Sequence, residues 1–292
     1  MRRLFVSLFL VAASAGVHAQ SVPTSPSDDG FYGRFETHTT RIQSHQPAWA
    51  VPLVTTYTGL FQVVRTDVIR QVTPAHADTW NIDNSKGVNF IPGFNTEFDV
   101  NLPPYLKHTD APPNSTLPKD GAGDMSFLGK YRIASGNATH GTYTLSAWVL
   151  ATIPTGSHKN GSTNAGIAPS LGGGKGFGHF DVQSSIGATL PTGNPAITTS
   201  GRPIAWNTVG QYQIGKLFWP EVESNATFYK GGTNDGKTQE FITPGIIIGK
   251  CAFRPSEPKA RPGLAFGGGM QIAASHFHTY NHALVLTARV IF

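Results

Sequence analysis

A single cysteine, Cys251, occurs in 292 residues. One thiol excludes a disulfide framework within the chain and a multi-cysteine metal cage, and leaves Cys251 the role of a small apolar side chain. Charge is scarce as well. Asp, Glu, Lys and Arg make up 13% of the chain, against roughly 25% in ordinary soluble domains. The formal balance of +5 is spread along the length without a basic block, which gives no footprint for nucleic acid. Beyond the first twenty residues no apolar run is long enough for a transmembrane helix.

Glycine and aromatic residues are plentiful, with 33 Gly, 18 Phe and 8 Tyr. The chain opens on a basic Met1-Arg2-Arg3, followed by the apolar run 4–16, with small Val17 and Ala19 at the −3 and −1 positions of a cleavage site. That pattern predicts a secretory signal peptide over residues 1–19 and a mature domain over 20–292. The alternative, a retained anchor, requires a longer apolar run. Cleavage removes Arg2 and Arg3 and no acid, so 20 basic residues face 17 acidic ones and the balance falls to +3. An exported chain poor in charge, rich in glycine and aromatics and without membrane helices points to a closed β-barrel in a bacterial outer membrane.

Period-two alternation supports this. Phe94, Thr96, Phe98, Val100 and Leu102 share one parity, with Asn95, Glu97, Asp99 and Asn101 on the other. Met125, Phe127, Tyr131 and Ile133 oppose Asp124, Ser126, Lys130 and Arg132; Tyr143, Leu145, Ala147 and Val149 oppose Thr144, Ser146 and Trp148. The stretch from His179 sets Phe180, Val182 and Ile186 against Asp181, Gln183 and Ser185, and the next sets Trp206, Tyr212 and Ile214 against Asn207, Gln211 and Gln213. Val222 and Phe228 lie opposite Glu221, Glu223 and Asn225. The stretch 239–253 is apolar on both parities, and alternation assigns it no face.

The pattern predicts an all-β, antiparallel transmembrane barrel of about twelve strands: 31–43, 54–73, 90–102, 123–134, 142–154, 164–175, 179–191, 204–217, 221–229, 238–253, 262–275 and 281–292. An even count places both barrel ends on the periplasmic side. Residues 135–141, 176–178, 217–220 and 254–262 then serve as short periplasmic turns, with 74–88 as a longer one. Residues 103–122 and 191–202 are read as extracellular loops. A soluble β-sandwich also alternates; the leader, the missing disulfides and the terminal stretch favour the barrel. That stretch, His282 to Phe292, places Leu284, Leu286, Val290 and Phe292 on one parity. Together with Tyr280 these residues are expected to sit at the membrane interface and to form the signal read by barrel-assembly machinery.

Several short motifs occur in order along the chain: "QPAWAVPLVT" (46–55), "PPY" (103–105), "GDMSFLGKYRI" (123–133), "IPTG" (153–156), "GKGFGHFDVQSSIGATLPTG" (174–193), "WPEVESNATFYKGG" (219–232) and "TPGIIIG" (243–249). On these the chain resembles the family named for a putative MetA pathway of phenol degradation, over most of its mature length. The resemblance implies an outer-membrane barrel linked to uptake of aromatic or hydrophobic compounds. It supplies no catalytic residues.

Other motifs weaken on inspection. "LGGGKGFG" (171–178) lacks the Ser or Thr and the following helix of a phosphate loop, and reads as a tight turn. His276, His278 and His282 lack a carboxylate or thiol to complete a metal set. Asp28 and Asp29 are adjacent and point to opposite faces of an extended chain. Asn114, Asn137, Asn160 and Asn225 begin N-x-[ST] triplets and read as turn formers. No catalytic, metal or cofactor site is assigned.

The inner parity carries the candidates for solute contact: Glu97, Asp99, Lys130, Arg132, Trp148, Gln183, Gln211, Gln213, Glu221, Glu223 and Arg289. Opposed charge across a narrow lumen orients polar solutes, or closes the bore by internal pairing. Trp148, Leu128 and Leu150 add apolar contact suited to an amphipathic solute. The expected function is passive uptake of a small molecule, without cofactor or enzymatic activity. The alternatives are a rim enzyme acting on lipid or peptide and a closed structural or adhesive barrel. Whether the bore is open or plugged by the first segments, and the oligomeric state, stay open.

Overall fold

The computed structural model describes residues 30–109, 118–253 and 262–292. The expected leader 1–19, Asp28, Asp29, Asn114 and residues 254–261 of the expected turn lie outside the described residues. After helix α1 (Phe31–Gln43) come β1 (Val63–Val72), β2 (Asp78–Asp83), β3 (Gly87–Gly93), β4 (Thr96–Asn101) and β5 (Tyr105–Thr109). Then follow β6 (Gly121–Ala122), β7 (Met125–Gly136), β8 (Tyr143–Ile153), β9 (Gly166–Phe177), β10 (Phe180–Ala188) and β11 (Leu190–Pro191). A short helix α2 (Asn194–Ser200) precedes β12 (Ile204–Tyr212), β13 (Phe218–Phe228), β14 (Thr238–Ala252), β15 (Gly263–Ala273) and β16 (His282–Ile291).

Each strand pairs antiparallel with its neighbours, and β16 pairs with β1 from Val63↔Ile291 to Val72↔His282. The sheet is therefore closed. The segments β2–β3, β4–β5, β6–β7 and β10–β11 are each one wall strand, interrupted, so the wall has 12 strands. The first interruption follows from backbone conformation: Asp83, Asn84 and Ser85 take φ of 77°, 46° and 50°, left-handed values that end a strand. The second falls at Pro103 and Pro104, which have no N–H for the ladder.

Closure removes every free edge and, with it, the sandwich reading. The two faces settle the solvent. Phe98, Tyr131, Val149, Ile186, Val222, Phe266 and Leu286 point outward and are exposed, whereas Glu97, Lys130, Ser146, Gln183, Glu223 and Arg289 are buried inside. A soluble fold does the reverse; this wall is built for lipid. Exposed Phe94, Tyr143, Phe177, Phe180, Tyr212 and Phe218 lie beside the turns at one end, the aromatic girdle of a membrane interface. No described helix is long and apolar enough to cross a membrane; the crossing is made by strands.

The count of twelve survives an exchange of members. Residues 31–43, expected as the first strand, form α1, with Thr39 and Ile42 buried on one face at helical spacing. Ile42 packs against Leu60 and Ile91. Residues 54–62, expected within the next strand, lie outside the wall, which begins at Val63. The missing strand is β2–β3, drawn from the expected periplasmic turn 74–88 and from 90–93 of the expected strand 90–102, which the structure divides between β3 and β4; the turn itself, 73–77, is at the opposite end. Likewise 105–109 of the expected extracellular loop is strand β5. The glycine run 171–178 is mostly strand β9, and only Gly178 and His179 turn. Asn225 faces the lumen from the middle of β13 and forms no turn.

Candidate functional site

The lumen is occupied by the chain's own residues 46–60, which enter from the end where β16 finishes. Helix α1 lies beneath that end, where Ser135 Oγ donates to the His45 carbonyl at 2.7 Å and Asn137 Nδ2 to the Ser44 carbonyl at 2.8 Å. The segment then rises into the barrel and returns. Its neck is closed by one side chain: Gln46 Nε2 donates to the Leu60 carbonyl at 2.8 Å, and Gln46 Oε1 accepts from the Leu60 N–H at 2.9 Å. This is a compact loop with adjacent ends.

An extended loop without a sheet partner must pair its backbone with side chains, because unpaired buried N–H and C=O groups are costly. The wall supplies both signs. From β13, Glu221 Oε1 accepts from the Leu53 N–H at 3.0 Å, and the two oxygens of Glu223 accept from Val54 and Thr55 at 2.7 and 2.5 Å. From β1 and β16, Arg65 donates to the Leu53 carbonyl at 2.5 Å, and Arg289 to those of Val51 and Pro52, the latter at 2.7 Å. Glu97 accepts from the Phe61 N–H, while Lys130 donates to the Gly59 carbonyl at 3.2 Å and bridges Glu97 at 2.5 Å. Arg132 holds the Ile42 carbonyl at 3.1 Å and Gln46 Oε1 at 3.0 Å. Gln183 accepts from the Thr58 N–H at 3.3 Å, and Ser146 Oγ donates to the Thr58 carbonyl at 2.6 Å.

Apolar packing completes the seat. Trp49, Val51, Leu53 and Tyr57 join wall residues Ile69, Trp219, Ile247, Ala283 and Val285 in one buried cluster. Glycine makes the room. A methyl group on Gly245 would overlap Leu53 Cδ1, and one on Gly269 would come within 2.7 Å of it. A methyl on Gly174 would come within 2.6 Å of Trp49 Cζ3. The inward glycines of β9, β14 and β15 are thus the imprint of the loop. This also gives β14 its face: Phe241 and Ile247 turn inward because the loop and Tyr280 offer them apolar partners.

Of the residues expected to contact solute, Glu97, Lys130, Arg132, Gln183, Glu221, Glu223 and Arg289 are brought together around this loop. Gln211 donates to Glu221 Oε2 at 2.6 Å and so orients it. Trp148 packs inward over Gly172. Asp99 and Asp181 each keep an oxygen without a protein partner and line cavities beside the loop. Gln213 lines the cavities at the end where β16 finishes. Leu284, Leu286, Val290 and Phe292 take the outward parity of β16. Tyr280 does not: it stacks on Phe241 at 4.2 Å and donates to Gln271 at 2.6 Å, over the lumen at the opposite mouth, because an inward aromatic partner is available there.

Arg65 and Asp67 were missed. They pair at 2.7 Å on the inner face of β1, and their signal was the i, i+2 spacing of opposite charges in a stretch with noisy alternation. The buried Tyr57 phenol is pushed above its usual range by desolvation first and then by the nearby Asp181 and Glu97, so it stays neutral; it donates to the Pro47 carbonyl at 3.2 Å. Among the three histidines, His278 uses both ring nitrogens within its loop, on the Ser275 carbonyl and Asn281. No cluster of three metal-ligating residues occurs among the described residues.

A closed, lipid-facing wall around a lumenal loop defines a transmembrane β-barrel of the outer-membrane type. No protein-family model and no curated protein matches the chain. Among solved structures, an outer membrane channel from Pseudomonas putida F1 is similar at a TM-score of 0.55 and 15% identity, covering 84% of this chain and 100% of that one. The NanC porin gives a TM-score of 0.48 at 10% identity, covering 79% of this chain and 98% of that one. At such identity the likeness of the first concerns the fold.

Proposed function

We propose that this chain is a bacterial outer-membrane channel that admits small hydrophobic or aromatic molecules passively. One observation carries the reading. A barrel whose role is only structural can fill its bore with side chains of its own wall; here inward glycines leave space that a separate, hydrogen-bonded loop occupies. Material held by hydrogen bonds and packing can be displaced, whereas wall side chains cannot. The fold likeness to the Pseudomonas putida channel supports a channel, and the ordered motifs that resemble the phenol-degradation family support the solute class. The inward residues Glu97, Lys130, Arg132, Gln183, Glu221, Glu223 and Arg289 then serve twice, seating the loop and lining the path once it shifts, while Asp99, Trp148, Gln211 and Gln213 line the path beside them. We also propose that the alternating stretch ending in Phe292 is read by the barrel-assembly machinery.

The same loop favours a second reading, a barrel that stays shut. Swelling of proteoliposomes across sugars, carboxylates and phenols separates the two. Flux of phenols and aromatic carboxylates above that of sugars is expected, and no flux of any solute would leave the shut barrel.

A further inference from the structure

We infer that the underside of the lumenal loop holds a binding site for a small aromatic carboxylate, an inference that rests on the channel reading and names its solute. The site is a cavity of about 450 Å³ between α1, the loop and the periplasmic ends of β14, β15 and β16. That volume lies within the range of small-molecule sites. Four aromatic side chains line it, Trp49, Tyr57, Phe61 and Trp219. Tyr57 and Phe61 meet edge to face at 5.7 Å, so the ring faces are fixed before any ligand arrives.

Charge narrows the class. The lining includes Lys216, Lys250 and Arg289 and contains no Asp or Glu. Arg289 is already committed to the Val51 and Pro52 carbonyls. The ligand's negative charge is therefore assigned to Lys216, on the exposed turn between β12 and β13. Three like charges repel a cation and favour an anion. A planar ring with one carboxylate satisfies both halves, the ring against the aromatic side chains and the charge toward Lys216. A neighbouring cavity of about 390 Å³ shares Trp49, Gln213 and Trp219, and its carboxylate, Asp181, lies away from the lysines' cavity. A solute leaving the lumen toward the periplasm meets this basic, aromatic chamber last.

Calorimetric titration of the mature protein, refolded in detergent, tests this with benzoate, cyclohexanecarboxylate and benzyl alcohol as probes. Benzoate is expected to bind saturably, more weakly at high salt, and more tightly than either comparator. A Lys216→Gln variant should weaken benzoate by about threefold, the contribution of one exposed ion pair, and leave benzyl alcohol unchanged. Equal affinity for benzoate and benzyl alcohol overturns the inference, as does unchanged benzoate affinity in the Lys216→Gln variant. Cyclohexanecarboxylate matching benzoate overturns the aromatic half. Swelling assays on the same preparation keep the two readings apart. Binding without flux supports the site and sinks the channel, whereas flux without benzoate binding sinks the site alone.

Discussion

Glu223→Gln isolates the force that seats the lumenal loop. Glu223 is fully buried, and its two oxygens accept from the Val54 and Thr55 N–H groups at 2.7 and 2.5 Å. Glutamine keeps the shape and one acceptor, but it turns an NH₂ toward one of those donors. A hydrogen bond to a charged group contributes about 1.5–3 kcal/mol, and an unpaired buried N–H costs roughly 1–3 kcal/mol. One charged bond lost and the other weakened gives about 2–4 kcal/mol against the docked loop. At about 1.4 kcal/mol per tenfold, the docked-to-released ratio falls roughly 30-fold to several-hundred-fold. Single-channel recording in a planar bilayer reads this as a rise in open probability of that order. Glu240→Gln is the control, since Glu240 pairs with Ser224 at 3.0 Å on the part-buried upper wall and makes no bond to the loop. An unchanged open probability in Glu223→Gln, or an equal rise in the control, would refute the idea that the loop gates the bore.

Three further predictions follow from the same contacts. Gly245→Val fills the recess that holds Leu53, so the loop is pushed out; limited proteolysis should then cut within 46–62 at least tenfold faster than in the wild type, by roughly 1.4 kcal/mol or more of overpacking. Glu97→Gln leaves the buried ammonium of Lys130 without the negative charge it pairs with at 2.5 Å. It should cost about 3–5 kcal/mol and lower the temperature of the heat-modifiable gel shift, and a Glu97→Leu, Lys130→Met pair should recover much of that loss. Phe292→Ala should slow insertion into the outer membrane in cells, with unassembled chain measured in the periplasm, while detergent refolding of the purified chain is little affected.

The wall was legible where lipid on one side and polar lumen on the other impose period two. β7 and β16 show this: Phe127, Tyr131 and Ile133, or Leu284 and Leu286, alternate with buried Lys130, Arg132, Val285 and Arg289. The loop was not legible because it imitates that signal. Trp49, Val51, Leu53, Thr55 and Tyr57 alternate and are buried in turn, as an extended chain in any two-sided environment will be. Pro47 and Pro52 marked it as a poor strand, and the inward glycines 172, 174, 267 and 269 marked something packed against them. The exchange of 31–43 for β2–β3 has a similar cause. Threonine-rich α1 has a weak apolar stripe, and β2–β3 carries Asn and Asp at a break that reads as a turn. The charged inner residues were found by parity, but their partners lie far along the chain, from 36 positions for Glu97 and Phe61 to 238 for Arg289 and Val51, and no local pattern encodes them.

Thr58 of the loop and Thr144 of β8 face each other with their Oγ1 atoms 2.6 Å apart, both buried. Thiols in those places would be within reach of a disulfide after small rotations. A Thr58→Cys, Thr144→Cys variant, made with Cys251→Ser to remove the exposed native thiol, should close a bond on mild oxidation in membranes. A cross-linked fragment pair after cleavage between the two positions is the predicted result. Both cysteines staying reduced and open to a membrane-impermeant maleimide would show that residues 46–60 do not fill this barrel.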